Sequence, residues 1–242
     1  MTIYLYKDGA DATEMRQAND LSTHYSNLTP MQYAFLASFL FHRQSVPLEI
    51  CNDILTFAGF VMIIQKDTTA FLRGYSHMNY CYLESPIPAA ELPQGVQVSS
   101  CCLCVVDISS HDQGWASSDT ALNGTYEASY TWSELAIAET KDQKVVELTN
   151  RVCIGQNVRA SHEFRHHRRA LTPSAQASFL KSIKPGIWLR LYLLSQYPGW
   201  SNFANYGSIK VYLSLEATEE IPLQNLPNDQ ISLQSSSRCA LQ

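Results

Sequence analysis

The sequence has few charged residues for its length. Asp, Glu, Lys and Arg together make up 16% of its 242 residues, hydrophobic residues make up 45%, and the formal net charge is −5. A disordered chain has the opposite balance, so we expect a folded protein with a large core. The shortage of cations also argues against a protein that coats nucleic acid, because such a protein needs a broad basic surface. Much of the surface must instead be neutral, polar and aromatic.

Long apolar runs are also missing. The longest, residues 54–64, has about half of the ~20 residues that a membrane-spanning helix needs. The first residues, MTIYLYKDGADA, do not combine a basic segment with an apolar one, so we expect no signal peptide. We interpret the seven cysteines as free thiols in a reducing compartment, with a disulfide framework or a zinc cluster as the alternative. The expected protein is intracellular, either cytoplasmic or nuclear, with no membrane partner.

Common catalytic motifs are scarce. The sequence has no G-x-S-x-G elbow and no glycine-rich turn between a strand and a helix. It does match H-E-x-x-H, since His162 and His166 flank Glu163 with the required spacing. On a helix, two such histidines bind zinc and the glutamate activates water. The surrounding residues are polar and cationic, so a solvated basic segment at 159–169, which can meet an anionic partner, is the competing interpretation.

Composition divides the chain into five parts. Residues 1–30 are polar, residues 31–84 are predicted to be a helical segment, and residues 85–96 form a proline-containing linker. Residues 97–216 are predicted to be a β-domain, and residues 217–242 a flexible polar tail. The β-domain prediction rests on five segments of alternating apolar and polar residues, at 97–108, 126–137, 146–154, 187–195 and 209–216. Such segments joined by polar loops favour an antiparallel sandwich or barrel.

Two loops of the β-domain share one form. Residues 109–115 (SSHDQGW) and 196–202 (QYPGWSN) each combine a glycine, a tryptophan and neighbouring amide or carboxylate groups. Stacking on an aromatic ring beside polar side chains is a common way to bind a neutral polar ligand such as a sugar. Alternatively, the tryptophans seal the ends of the sandwich, and Asp112 and Asn202 hold Asx turns.

Two stretches carry a family resemblance. Residues 109–132 (SSHDQGWASSDTALNGTYEASYTW) resemble the pattern S-x-DQGWS…GTY-x-x-SWTWFE of a group of mostly uncharacterised fungal proteins. Residues 156–162 and 180–212 resemble its later part, which contains N-x-x-AS and FPGWVN. The resemblance covers about half of the chain and implies a jelly-roll-type, galactose-binding-like β-sandwich.

Several members of this group begin with an F-box-like segment. Residues 46–55 (VPLEICNDIL) resemble it. The resemblance implies docking on the Skp-type adaptor of a cullin–RING ubiquitin ligase through Pro47, Leu48, Ile50, Ile54 and Leu55. A helix that packs on the sandwich without any adaptor is the alternative.

We therefore expect a mainly β protein with an N-terminal helical, F-box-like segment. The expected function is non-catalytic recognition of a protein or glycan, without a cofactor. The alternatives are a structural subunit of a larger complex and a zinc hydrolase. The candidate ligand-binding residues lie in the two loops and in the stretches that carry the resemblance: Asp112, Gln113, Trp115, Tyr130, Trp132, Asn157, Arg159, Trp200 and Asn202.

Overall fold

The computed structural model describes residues 25–89, 92–141, 144–148 and 151–218. The described chain is mainly β, as predicted. Its helices are α1 (Pro30–Gln44), α2 (Leu48–Phe57) and α3 (Pro173–Lys181), with a 3₁₀ turn at Thr120–Leu122. Its strands are β1 (Ser26–Asn27), β2 (Phe60–Thr68), β3 (Leu72–Tyr75), β4 (Asn79–Pro86), β5 (Val96–His111), β6 (Thr131–Lys141), β7 (Lys144–Glu147), β8 (Val152–Gln156), β9 (Arg165–Leu171), β10 (Trp188–Ser195) and β11 (Ser201–Ala217).

The strands form two sheets. The six-stranded sheet has the order β1-β2-β11-β5-β9, and β3 also pairs with β11. The five-stranded sheet has the order β4-β10-β6-β7, and β8 also pairs with β6. The β1–β2 pair is parallel, whereas the five-stranded sheet and the β3–β11 and β5–β9 pairs are antiparallel. The predicted antiparallel character of the β-domain is therefore confirmed.

The chain divides into two compact units. In its described part, the larger unit contains residues 63–89 and 100–213, and the smaller contains residues 25–62, 92–99 and 214–218. The core of the larger unit takes side chains from both sheets. Leu189, Leu191 and Leu193 of β10 and Val211 and Leu213 of β11 are all fully buried, as their alternation predicts.

The smaller unit is organised around α1. Thr29 caps this helix, because its hydroxyl accepts a bond from the Gln32 N–H and the Gln32 side chain accepts one from the Thr29 N–H. Tyr33 is fully buried and donates its hydroxyl proton to Asn52 of α2. The Asn52 side chain also bonds both backbone groups of Ala217, at 2.9 and 3.0 Å. A shared apolar cluster that includes Leu55 completes this unit.

The predicted helical segment at 31–84 is correct only as far as Phe57. Strands β2, β3 and β4 occupy most of the remainder, and β4 includes the first two residues of the predicted linker. Val61–Ile64 is a continuous apolar run within β2, and periodicity cannot distinguish such a short strand from a buried helix. The predicted N-terminal segment and tail lie almost entirely outside the described residues.

Two further elements were not predicted. Strand β9 consists mainly of arginine and histidine, and α3 begins at Pro173 directly after it. The segment predicted at 126–137 begins as a strand only at Thr131, and the one predicted at 146–154 is divided between β7 and β8. Among the described residues no helix is long and apolar enough to span a membrane. The six described cysteines form no disulfide with one another.

Candidate functional site

The two glycine–tryptophan loops lie next to each other. Gln113 connects them, because its side-chain oxygen accepts a bond from the Ser201 N–H and its amide donates to the Trp115 carbonyl, at 3.2 and 2.8 Å. The Ser76 N–H bonds the Trp200 carbonyl from a third loop. The structure therefore brings together the segments that carry the two predicted halves of the site.

Asp112 is a support for these loops. It is fully buried, and its carboxylate accepts bonds from the N–H groups of Gly114, Ala160 and Ser161 at 2.7–3.0 Å. Burial raises the pKa of Asp112, and the three donors oppose that shift because they favour the ionised form. The carboxylate thus fixes the 112–114 turn to the 160–161 turn.

Gly114 is required at this turn for two reasons. Its φ of +84° lies in the left-handed region, which favours glycine. A Cβ atom on Gly114 would lie 1.9 Å from Cε1 of His162, so the imidazole occupies the space of the missing side chain. His162 therefore packs against the loop that carries Trp115.

Two buried amides join the sheets behind the loops. Asn157, directly after β8, accepts a bond from the Ser110 hydroxyl and donates to Thr131 Oγ1 and Asn202 Oδ1, at 2.7–3.0 Å. Asn202, in β11, donates to the carbonyls of Trp132 and Leu194 at 2.9 Å each. Both amides are at most 1% exposed, so these bonds take the place of water.

Arg159 closes the long loop between β5 and β6. It is fully buried, and its guanidinium donates to Asn123 Oδ1, to the Ala128 carbonyl and to both oxygens of Ser118. Its backbone also bonds Gly124 and Thr125. The guanidinium lies 5.3 Å from the centroid of the Trp200 ring. Arg159 is therefore held by neutral acceptors and supports Trp200 from within.

Aromatic rings form the exposed part of the site. Tyr130 makes edge contacts with Tyr197 and Trp200, with ring centroids 4.8 and 5.0 Å apart. Trp115 is 59% exposed and Tyr197 is 44% exposed. We define these four rings as the loop aromatics. Tyr197 was not among the predicted residues, although its place beside Pro198, Gly199 and Trp200 was a usable signal.

Trp132 does not belong with the loop aromatics. Its indole N–H donates to Glu134 at 2.7 Å, on a face of the five-stranded sheet where Arg151 stacks on Tyr192 at 3.8 Å. Only its backbone carbonyl reaches the loop network, through Asn202. Of the nine predicted ligand residues, Asp112, Asn157, Arg159 and Asn202 are buried supports, and Trp115, Tyr130, Trp200 and the half-buried Gln113 lie nearer the surface.

The helix that the zinc interpretation of H-E-x-x-H requires is not formed. His162 and Glu163 precede β9 and His166 lies within it, because alternating strand geometry replaces the helical turn. His162 packs at Gly114, Glu163 pairs with Arg165, and His166 bonds Asp107 at 3.0 Å. In the part of the chain that the structure describes, no three His, Cys, Asp or Glu side chains are grouped to hold a metal ion.

The predicted docking residues have different environments. Leu55 is 2% exposed and belongs to the core of the smaller unit, and Leu48 packs partly against that core. Ile50 and Ile54 are 47% and 43% exposed, and Phe57 is 96% exposed. These three lie at spacings of four and three residues, so they share one exposed face of α2.

Comparison with known proteins finds similarity to solved structures at low sequence identity. No protein-family model matches the sequence, and no curated protein matches it. The VP2 subviral particle of infectious bursal disease virus has a TM-score of 0.39 and 8% identity, over 66% of this chain and 38% of that chain. TmCBM61 in complex with β-1,4-galactotriose has a TM-score of 0.26 and 8% identity, over 61% of this chain and 86% of that chain. A CBM4 structure has a TM-score of 0.24 and 8% identity, over 61% of this chain and 94% of that chain.

Proposed function

We propose that this chain is a non-catalytic recognition protein whose loop aromatics bind a protein or glycan ligand. The observation that carries the proposal is the contrast between exposed rings and enclosed polar groups. Trp115 and Tyr197 are 59% and 44% exposed, whereas Asp112, Asn157, Arg159 and Asn202 are at most 1% exposed. A rigid polar network below aromatic rings is a suitable support for a binding surface.

The ligand that fits this surface is neutral. Residues 113–115 and 196–202 contain no charged side chain, and their exposed groups are rings and amides. Aromatic faces bind the apolar side of a sugar ring or a protein side chain, and amides supply hydrogen bonds to polar groups.

The strand order supports a jelly-roll assignment for the sandwich. Without β1, β3 and β7, one sheet has the order β2-β11-β5-β9 and the other has the order β4-β10-β6-β8. If these eight strands are renumbered 1 to 8 along the chain, the two orders become 1-8-3-6 and 2-7-4-5. Two interlocked Greek keys have this arrangement. We propose further that this sandwich is galactose-binding-like.

Truncation of the loop aromatics tests the binding proposal. We expect Trp115→Ala and Tyr197→Ala to weaken binding at least about tenfold without lowering the melting temperature, since both rings are exposed. The probes are a glycan array that includes β-1,4-galactotriose, and proteins that co-purify with the tagged chain. Tyr80→Ala is the control, because it removes a comparably exposed ring of β4 that lies outside both the loop aromatics and α2. Equal binding by all three variants and the wild type would contradict the proposal.

We also propose that the exposed face of α2 docks on a Skp-type adaptor. Ile50, Ile54 and Phe57 offer apolar anchors in the spacing of a helix-in-groove interface. Pro47 stands at the start of this helix, as the F-box-like pattern requires. Leu55 supports the helix from the core and is not available for docking.

Co-purification tests the docking proposal. The wild type is expected to retain the purified adaptor, and Ile50→Ala/Ile54→Ala is expected to lose it while remaining folded. Thr56→Ala is the matched control, because Thr56 is an exposed residue of the same helix. If the wild type does not bind the adaptor, or if the double variant binds it equally well, the docking proposal is wrong.

A further inference from the structure

A second group of aromatic residues surrounds Phe203 on the six-stranded sheet. Strand β3 pairs with the start of β11, so that Arg73 lies opposite Phe203 and Tyr75 lies opposite Ser201. Arg73 and Tyr75 are two residues apart and therefore share one face of the sheet. The Arg73 guanidinium lies 4.5 Å from the Tyr75 ring centroid and 5.0 Å from that of Phe203.

Further rings extend this group. His111 stacks on Phe203, with centroids 4.5 Å apart and an interplanar angle of 6°. Phe164 meets His111 edge-on at 4.4 Å, and Phe71 lies 6.4 Å from Phe203. We call the set of Phe71, Arg73, Tyr75, His111, Phe164 and Phe203 the Phe203 patch. All of its members belong to the larger unit.

Three rings of the Phe203 patch are exposed next to one another. Phe71 is 64% exposed, Tyr75 is 58% exposed and Phe164 is 37% exposed. Contiguous exposed apolar surface marks interaction sites on soluble proteins. Aromatic residues and arginine are also the types that are enriched at the centres of protein–protein interfaces. The composition therefore favours a protein partner.

The charge of the patch defines the chemistry of that partner. Arg73 is exposed, and no carboxylate of the described residues lies within ion-pair distance of it. Its Cζ atom lies over both rings, and no described residue accepts a hydrogen bond from its N–H groups, so these donors are open to a ligand. A guanidinium fork of this kind matches the two oxygens of a carboxylate.

We propose that the Phe203 patch binds an acidic segment of a partner protein. An Asp or Glu carboxylate of that segment binds the Arg73 guanidinium, and a neighbouring apolar side chain packs on Phe71 and Tyr75. This interaction is separate from the loop aromatics in both residues and charge, so that either proposal can fail without the other.

A peptide array tests the inference. The probes are ten-residue peptides with one Asp or Glu beside Phe, Leu or Tyr, together with matched peptides in which Asn or Gln replaces the acid. We expect the full chain to bind acidic members at least about tenfold more tightly than their amide counterparts, with affinity that falls as salt rises. Arg73→Gln should remove this preference, and Phe71→Ala should weaken binding of both sets.

Matched variants keep the result interpretable. Lys210→Gln is the control, because Lys210 is also stacked on a ring of β11, Tyr212, but lies outside the patch. Arg73→Lys keeps the charge without the fork and is expected to retain only part of the preference. The melting temperature of each variant reports folding.

Three outcomes would overturn the inference. They are an absence of peptide binding by the wild type, equal binding of acidic and amide peptides, and an unchanged preference in a folded Arg73→Gln variant. Arg73-dependent binding of an oligogalacturonate without any peptide binding would assign the patch to an acidic carbohydrate instead.

Discussion

His167 is a titratable residue that the fold keeps neutral. His167 is 1% exposed. A Cβ atom added to Gly155 would lie 2.8 Å from the Cβ atom of His167, so the glycine provides the space that His167 occupies. Burial lowers the pKa of His167 to about 4, and the nearby charges of Arg165 and His166 add to the shift. Within the described chain Nε2 of His167 has no hydrogen-bond partner, which agrees with an apolar environment.

This residue makes stability depend on pH. Because the folded-state pKa lies below the unfolded value of about 6.5, the unfolded state takes up the proton first. The stability contributed by the neutral ring is complete above pH 6.5 and is lost as the pH falls toward 4. We expect the free energy of unfolding to fall by about 3 kcal/mol more in the wild type than in His167→Leu between pH 7 and pH 4.

Urea unfolding at the two pH values measures this difference. His162→Gln is the control, since it removes an exposed imidazole close in sequence. An identical pH dependence in the wild type and His167→Leu would mean that the buried ring is not the source.

Individual elements differ in how much the sequence reveals. Strands β5, β10 and β11 were predictable because apolar residues alternate along them and point into the core. Strand β9 was not predictable from the sequence, because His167 and Arg169 occupy inward positions that apolar residues normally fill. Arg169 satisfies one N–H by donating to the Cys153 carbonyl. Such a pairing depends on how β9 faces the preceding strand, β8, so the pattern of residues within β9 cannot show it.

Helix α1 has a terminus that can be tested directly. Thr29 accepts a bond from the Gln32 N–H at 3.2 Å, and Gln32 returns one to the Thr29 N–H at 2.9 Å. Thr29→Ala leaves the first donor without its partner, so we expect a loss of about 1 kcal/mol in the free energy of unfolding. Chemical denaturation measures this loss.

The matched variant is Thr29→Ser, which keeps the hydroxyl and should retain most of the stability. If Thr29→Ser and Thr29→Ala destabilise the protein equally, the hydroxyl bond does not cap the helix.

At the scale of the whole sandwich, the two sheets of the larger unit are joined by polar as well as apolar contacts. The loop at 196–202 and the family-like stretch at 156–162 predict Asn202 and Asn157 as ligand-binding residues, whereas the structure places both in the interior. The pair is separated by 45 residues in the chain. The sequence therefore draws attention to the two asparagines, but their hydrogen bond to each other becomes visible only when the distant segments that carry them are brought together in the fold.

A double-mutant cycle measures this connection. Asn157→Ala and Asn202→Ala each leave buried groups unpaired, so each should lower the free energy of unfolding by about 2–4 kcal/mol. The double variant should lose less than the sum by at least about 1 kcal/mol, because the two amides share a bond.

Gln65 and Asp67 form the control pair for that cycle. Their side chains bond at 3.0 Å on an exposed strand, where coupling is expected to be within a few tenths of a kcal/mol. If the losses in the free energy of unfolding are also additive for Asn157 and Asn202, their hydrogen bond does not help to hold the two sheets together.

Gln113 has a consequence for the thermodynamics of any binding at the loops. Its side chain bonds Ser201 and the Trp115 carbonyl, so both tryptophan loops lose their conformational freedom together when the chain folds. Because the loops are already ordered in the folded protein, ligand binding does not include the loss of loop conformational entropy, which otherwise opposes association. Gln113→Ala would transfer the cost from folding to binding, and a calorimeter would register it as a less favourable binding entropy.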